Sequence, residues 1–118
     1  MPLSILIVED EALSRRNLAA FLEYAGYEVH QAETGEAALD LLSRVDFDVV
    51  ISDFRLPGPV NGLDVLANHG EISPEKQKIL ITAFGSQQTQ SQAKSVGALY
   101  IEKPISLNDL LLQIQKTP

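Results

Sequence analysis

Leu3-Ser4-Ile5-Leu6-Ile7-Val8, closed by Glu9-Asp10-Glu11, is the stretch on which the fold turns. Its apolar residues run on without period-2 alternation. A strand of that kind is covered on both faces, which is the condition of a parallel sheet. The acids that follow must therefore sit where the strand leaves the core. Asp48-Val49-Val50-Ile51, Ile79-Leu80-Ile81 and Ala98-Leu99-Tyr100-Ile101 have the same character, and a weaker strand, Tyr27-Glu28-Val29-His30, follows the Ala25-Gly26 stop.

Helical patterns fill the intervals. Ala12 to Ala25 spaces Leu18, Phe21, Leu22 and Ala25 by three and four residues. Gly35 to Leu42 carries Ala38, Leu41 and Leu42 behind a cap at Thr34. Gly62 to Asn68 is short, with Leu63 and Leu66, and Ser86 to Val96 is polar and ends at Gly97. The last helix starts at Ser106 with Asp109 three residues on, a capping arrangement ahead of Leu110, Leu111 and Ile114. Strand and helix thus alternate five times, without repeats or low-complexity tracts. The pattern predicts an α/β fold with helices on both faces of a parallel sheet. The flavodoxin-like strand order 2-1-3-4-5 is the general habit of five-stranded doubly wound sheets and is not dictated by these residues.

A chain of 118 residues is sized for a single domain over 1–118. It has no cysteine, which excludes disulfides and thiolate metal sites and fits a reducing compartment. Sixteen acidic against nine basic residues give a net charge of −7, which disfavours direct contact with nucleic acid or anionic membranes. No apolar run is long enough to span a bilayer, and Met-Pro-Leu-Ser lacks the basic start of a signal peptide. A cytoplasmic domain is expected.

Polar residues gather where strands end: Glu9-Asp10-Glu11 after the first, Asp53 after the third, Thr82 after the fourth and Glu102-Lys103 after the fifth. In a parallel sheet these ends share one edge, where open α/β sheets bind ligands. With strands 1 and 3 adjacent, Asp10 and Asp53 meet. Crowded carboxylates call for a cation between them, and an all-oxygen set suits Mg²⁺. A carboxylate nucleophile, a hard cation, the Thr82 hydroxyl and the Lys103 ammonium form a set suited to phosphoryl chemistry.

Each piece has an ordinary reading. The acids could cap the first helix, Asp53 could open a turn, Thr82 suits any strand, and Lys103 could be a loop lysine. Tyr100 could be half-buried packing, and His30 and His69 fall in no motif. Only joint placement at strand ends reverses these readings.

The residues Ile7-Val8-Glu9-Asp10-Glu11, Asp53 with Leu56-Pro57-Gly58, Ile81-Thr82-Ala83 and Glu102-Lys103-Pro104 resemble the response-regulator receiver family over essentially the whole chain. Separations of 43, 29 and 21 residues between Asp10, Asp53, Thr82 and Lys103 are close to that family's. The resemblance implies that Asp53 is the phosphoacceptor and that Mg²⁺ is held by Asp10, Asp53 and the Arg55 backbone carbonyl, with Glu9 acting directly or through water. It further implies that Thr82 and Lys103 contact phosphoryl oxygens, that Tyr100 moves with Thr82 as a switch, and that the Lys103–Pro104 bond is cis. The donor would be a phosphohistidine on a histidine kinase or histidine phosphotransfer protein. The fourth helix, fifth strand and fifth helix would form the readout face toward an output partner that the residues do not identify. The domain would be no enzyme beyond its own phosphorylation and dephosphorylation.

Three departures stand out, the first being Glu9 in place of the family's usual Asp at the first acidic position, a common variation that bears on the Mg²⁺ shell. The stretch from Asp53 to Gly62 is one residue longer than the family's usual loop, as in receivers of hybrid sensor kinases, so the chain could be a piece of a larger protein. Arg55 and Phe84, two residues past Asp53 and Thr82, flank the site and would alter water access to a phosphoaspartate. Two other classes compete: a haloacid-dehalogenase-like Mg²⁺ phosphohydrolase, and a pseudo-receiver that binds without being phosphorylated. The former places a second aspartate two residues after its nucleophile, where this chain has Arg55. The latter lacks site residues that are all present here.

Overall fold

Strand pairing carries several strands further than their apolar runs. The computed structural model describes residues 2–68 and 76–118; His69 lies outside the described residues. Among the described residues the elements are β1 (Ser4–Val8), α1 (Ala12–Tyr24), β2 (Glu28–Ala32), α2 (Gly35–Arg44), β3 (Val49–Asp53), α3 (Gly62–Leu66), β4 (Gln77–Thr82), α4 (Gln87–Ser95), β5 (Leu99–Glu102) and α5 (Leu107–Ile114). All pairings are parallel, in the order β2-β1-β3-β4-β5. The fold is the expected flavodoxin-like one. β2 runs to Ala32, beyond the expected His30, because Val8 pairs with Ala32. β3 includes Asp53, which pairs with Ile81, and β5 includes Glu102, which pairs with Thr82.

The continuous apolar strands feed two cores. Ile5, Ile7, Val49, Ile51, Ile79 and Ile81 face Ala19 and Leu22 of α1 and Leu110 and Ile114 of α5. Leu6, Val8, Val50 and Leu80 face the other way, onto Ala38, Leu42, Val65, Leu66 and Ala93. Each such side chain contributes about 1.5–3 kcal/mol by leaving water, so this buried centre is the main support of the site edge.

Helix ends follow the sequence signals. Thr34 accepts from the Ala37 N–H and Ser106 from the Asp109 N–H. Asn61 and Asp64 form a reciprocal capping box that starts α3 directly after the long loop. Gly26 and Gly97, at φ 101° and 75°, end α1 and α4 in the left-handed region open to glycine. In both, the next residue's N–H reaches back to a carbonyl in the last turn: Tyr27 to Leu22, and Ala98 to Ala93. α1 keeps most of its expected stripe, with Leu22 buried and Leu18 and Phe21 packed on the same core; Arg15 and Ala19 are buried beside them, whereas Ala25 is exposed.

Candidate functional site

Register brings the acids together. Val8 lies opposite Ser52, so the next residues outward, Glu9 and Asp53, come side by side on the α1/α5 face. The Glu9 N–H still donates to the Ala32 carbonyl at 3.1 Å, prolonging the ladder by one residue. Carboxylate oxygens of Glu9, Asp10 and Asp53 all lie within 4.8 Å of one another. Glu9 is only 7% exposed, while Asp10 faces solvent. Of the three consecutive acids, Glu11 alone follows the ordinary reading. Its carboxylate caps α1, accepting from Ser14 N–H at 2.6 Å and Leu13 N–H at 3.3 Å. Chiefly the Ser14 bond holds the Glu11 carboxyl below its usual range.

Lys103 closes the cluster. Its Nζ donates to Glu9 Oε1 at 2.9 Å and to Asp53 Oδ2 at 3.0 Å. Its backbone N–H donates to the Thr82 carbonyl at 2.9 Å, tying the β5 end to the β4 end. The Lys103–Pro104 peptide bond is cis. Burial alone would lower the ammonium's pKa, but the bonds to Glu9 and Asp53 outweigh it, and the net shift is upward. Glu9 moves furthest. Burial, followed by its contact with Asp53, pushes its carboxyl up to about 7 against the opposing pull of Lys103. Glu9 Oε2 is buried without a hydrogen-bond partner. A buried carboxylate oxygen with no donor, beside two further carboxylates, is a set of hard oxygen ligands that fits a small divalent cation.

The other side of the site is held more lightly. The Thr82 hydroxyl, 1% exposed, accepts from the Phe84 N–H at 3.2 Å. Tyr100 is half-buried against the Leu80–Ala93 core, and its hydroxyl donates to Glu102 Oε1 at 3.2 Å. That hydroxyl occupies the position a Cβ would take at Gly85. The exposed Arg55 guanidinium lies 5.3 Å from the Phe84 ring centroid, so the two flanking residues touch each other. A cleft of about 470 Å³ opens beside Asp53 and Lys103, walled by Leu18, Ile51, Ile81 and Ile105.

Three features escaped sequence reading. Arg15 is buried behind Glu9; its place at four and seven residues before Ala19 and Leu22 was the available signal, since it puts a cation on the buried stripe. Gly85 offered no signal without knowing where Tyr100 packs. At Gly62 a Cβ would collide with the Asp53 carbonyl, so this glycine is what lets the long loop close against the site.

A doubly wound parallel sheet thus carries three carboxylates and a lysine together on its carboxyl edge. The chain belongs to the response regulator receiver domain family, which matches residues 5–115. It is 35% identical over 113 residues to the regulatory protein AtoC of Escherichia coli K12, covering 95% of this chain but 24% of that protein's length. It resembles the crystal structure of a CheY-like response regulator receiver domain protein from Methanospirillum hungatei with a TM-score of 0.91 and 30% identity, over 98% of this chain and 93% of that one. It also resembles a response regulator protein from Burkholderia pseudomallei whose structure carries a phosphorylated aspartic acid, a calcium ion and citrate. There the TM-score is 0.86 and the identity 29%, over 96% of this chain and 66% of that one. No helix among the described residues is long and apolar enough to cross a membrane.

Proposed function

We propose that this receiver domain takes a phosphoryl group onto Asp53 from a phosphohistidine on a histidine kinase or histidine phosphotransfer protein. The observation that carries this reading is the Lys103 ammonium bridging Glu9 and Asp53, with Asp10 completing a carboxylate cluster. An Asp53 oxygen attacks phosphorus. The new P–O bond forms as the P–N bond breaks, and the electron pair stays on the imidazole nitrogen. Asp10, Asp53, the Arg55 carbonyl and Glu9, directly or through water, would hold Mg²⁺, which would offset the charge on the phosphoryl oxygens.

Lys103 is already within hydrogen-bonding distance of Asp53 and is placed to follow the charge as it moves to the phosphoryl group. Thr82 is to release the Phe84 N–H and turn its hydroxyl to a phosphoryl oxygen, with Tyr100 moving into the space it leaves. The α4-β5-α5 face would then change shape toward an output partner. Arg55 and Phe84, in contact with each other, would alter the access of hydrolytic water to the phosphoaspartate. The domain acts on no separate substrate, and its transfer and hydrolysis are self-catalysed. A net charge of −7 argues against direct nucleic-acid or membrane contact and fits a cytoplasmic setting.

The test is incubation with acetyl phosphate and Mg²⁺, followed by intact-mass measurement. The unaltered chain should gain one hydroxylamine-labile phosphoryl group, and Asp53→Asn should gain none. An equal labile adduct on Asp53→Asn would refute the assignment.

A further inference from the structure

A buried guanidinium costs several kcal/mol unless its donors are met. Arg15 is 6% exposed and meets them at one place. Its Nη1 donates to the Glu9 carbonyl at 2.9 Å, its Nε to Gln31 Oε1 at 3.2 Å, and its Nη2 faces Glu33 Oε1 at 3.4 Å. The Glu33 side chain is 72% exposed, so that ion pair is weak support. The backbone N–H of the same residue donates to the Glu11 carbonyl at 3.0 Å. Arg15 thus holds the carbonyls on both sides of Asp10. Its side chain takes the end of β1 and its backbone takes the start of α1.

We infer that Arg15 is a positioning residue of the phosphorylation site. Its side chain pins the Glu9 carbonyl to the first turn of α1, whose own backbone bond to Glu11 any non-proline residue at 15 would make, and so aims Asp10 and Glu9 at Asp53 for a divalent cation that it does not itself touch. The inference rests on the reading of Asp53 as a Mg²⁺-dependent phosphoacceptor. The guanidinium meets the Glu9 carbonyl and Gln31 with two different nitrogens held in one rigid plane, a geometry that the single nitrogen of a lysine does not reproduce. By charge alone the opposite effect follows: a buried cation behind the acidic turn repels a second cation in front of it. Positioning and bare charge therefore predict changes of opposite sign when Arg15 is removed.

The experiment is a Mg²⁺ titration by calorimetry on the unaltered chain, Arg15→Met, Arg15→Lys and Gln31→Ala. Thermal midpoints and the ¹⁵N–¹H shifts of Asp10 and Asp53 are followed alongside. Groups that orient metal ligands typically change affinity by about 10-fold or more. Arg15→Met should weaken Mg²⁺ binding about 10-fold, Arg15→Lys should recover part of that loss, and Gln31→Ala should show a smaller loss with an unchanged midpoint. Unchanged or tighter binding in Arg15→Met overturns the inference. If that variant fails to fold, unchanged affinity in both Arg15→Lys and Gln31→Ala does the same. If the unaltered chain binds no Mg²⁺, the phosphoacceptor reading falls and takes this inference with it. If it binds and the variants match it, only the role of Arg15 is lost.

Discussion

The two sides of the site edge are built to different stiffness. On the β1–β3 side Glu9 is held by Ala32 through its N–H, by Arg15 through its carbonyl and by Lys103 through its carboxylate. On the β4–β5 side the Thr82 hydroxyl only accepts from the Phe84 N–H and the Tyr100 hydroxyl donates to the exposed Glu102 carboxylate, both at 3.2 Å. The helix above them, α4, buries only Thr89 and Ala93. α1, by contrast, buries Ala19 and Leu22 among the isoleucines of three strands. A stiff side beside a lightly held one is what the proposed switch would require. The chemistry needs fixed groups, and a small shift in differential affinity can move only an element with little packing to lose.

The largest expected effect tests the stiff side. Lys103→Met removes the ammonium shared by two carboxylates, and phosphorylation by acetyl phosphate should slow by about 100-fold or more. A rate within threefold of the unaltered chain would mean that the bridge is not used in transfer.

Next in size is the contrast between helices. In native-state hydrogen exchange, α4 amides should open roughly 10–100 times more readily than those of α1. Beryllofluoride with Mg²⁺ should shift α4, Thr82 and Tyr100 resonances while leaving α1 in place. Equal protection in the two helices would erase the comparison.

Glu9 gives a third, smaller effect with a definite sign. Its carboxyl is raised from 4.5 to about 7, so the fold binds the proton more tightly than the unfolded chain does. The associated stability is complete below about 4.5 and is lost as pH rises through 7. Without divalent cation, the thermal midpoint should fall over that window. Glu9→Gln should flatten the decline, and so should saturating Mg²⁺. An unaltered slope in Glu9→Gln would show that another group sets it.

The smallest effect sharpens the same comparison. Ser86 caps α4 by accepting from the Thr89 N–H at 3.1 Å. Ser86→Ala should cost about 1 kcal/mol, seen as faster exchange confined to α4. Thr34→Ala removes the equivalent bond from α2, whose Ala38 and Leu42 are in the core; the same loss should there appear in the global midpoint.

The sequence by itself determined the alternation of buried strands with capped helices, because apolar runs, glycine stops and cap residues act within a few neighbours. It also placed Asp10, Asp53, Thr82 and Lys103 at strand ends, since each follows an apolar run within two residues. Only the tertiary structure decided how the three consecutive acids divide their work. Glu11 turned back to cap α1, Glu9 went inward to Lys103 with its charge held off until near neutral pH, and Asp10 stayed in solvent. It likewise made Arg15 a support of the site and set the Tyr100 hydroxyl over Gly85. These outcomes depend on register and burial between segments far apart in the chain. Adjacent residues of like charge differ in desolvation and in partners, and neither is set before the sheet has closed.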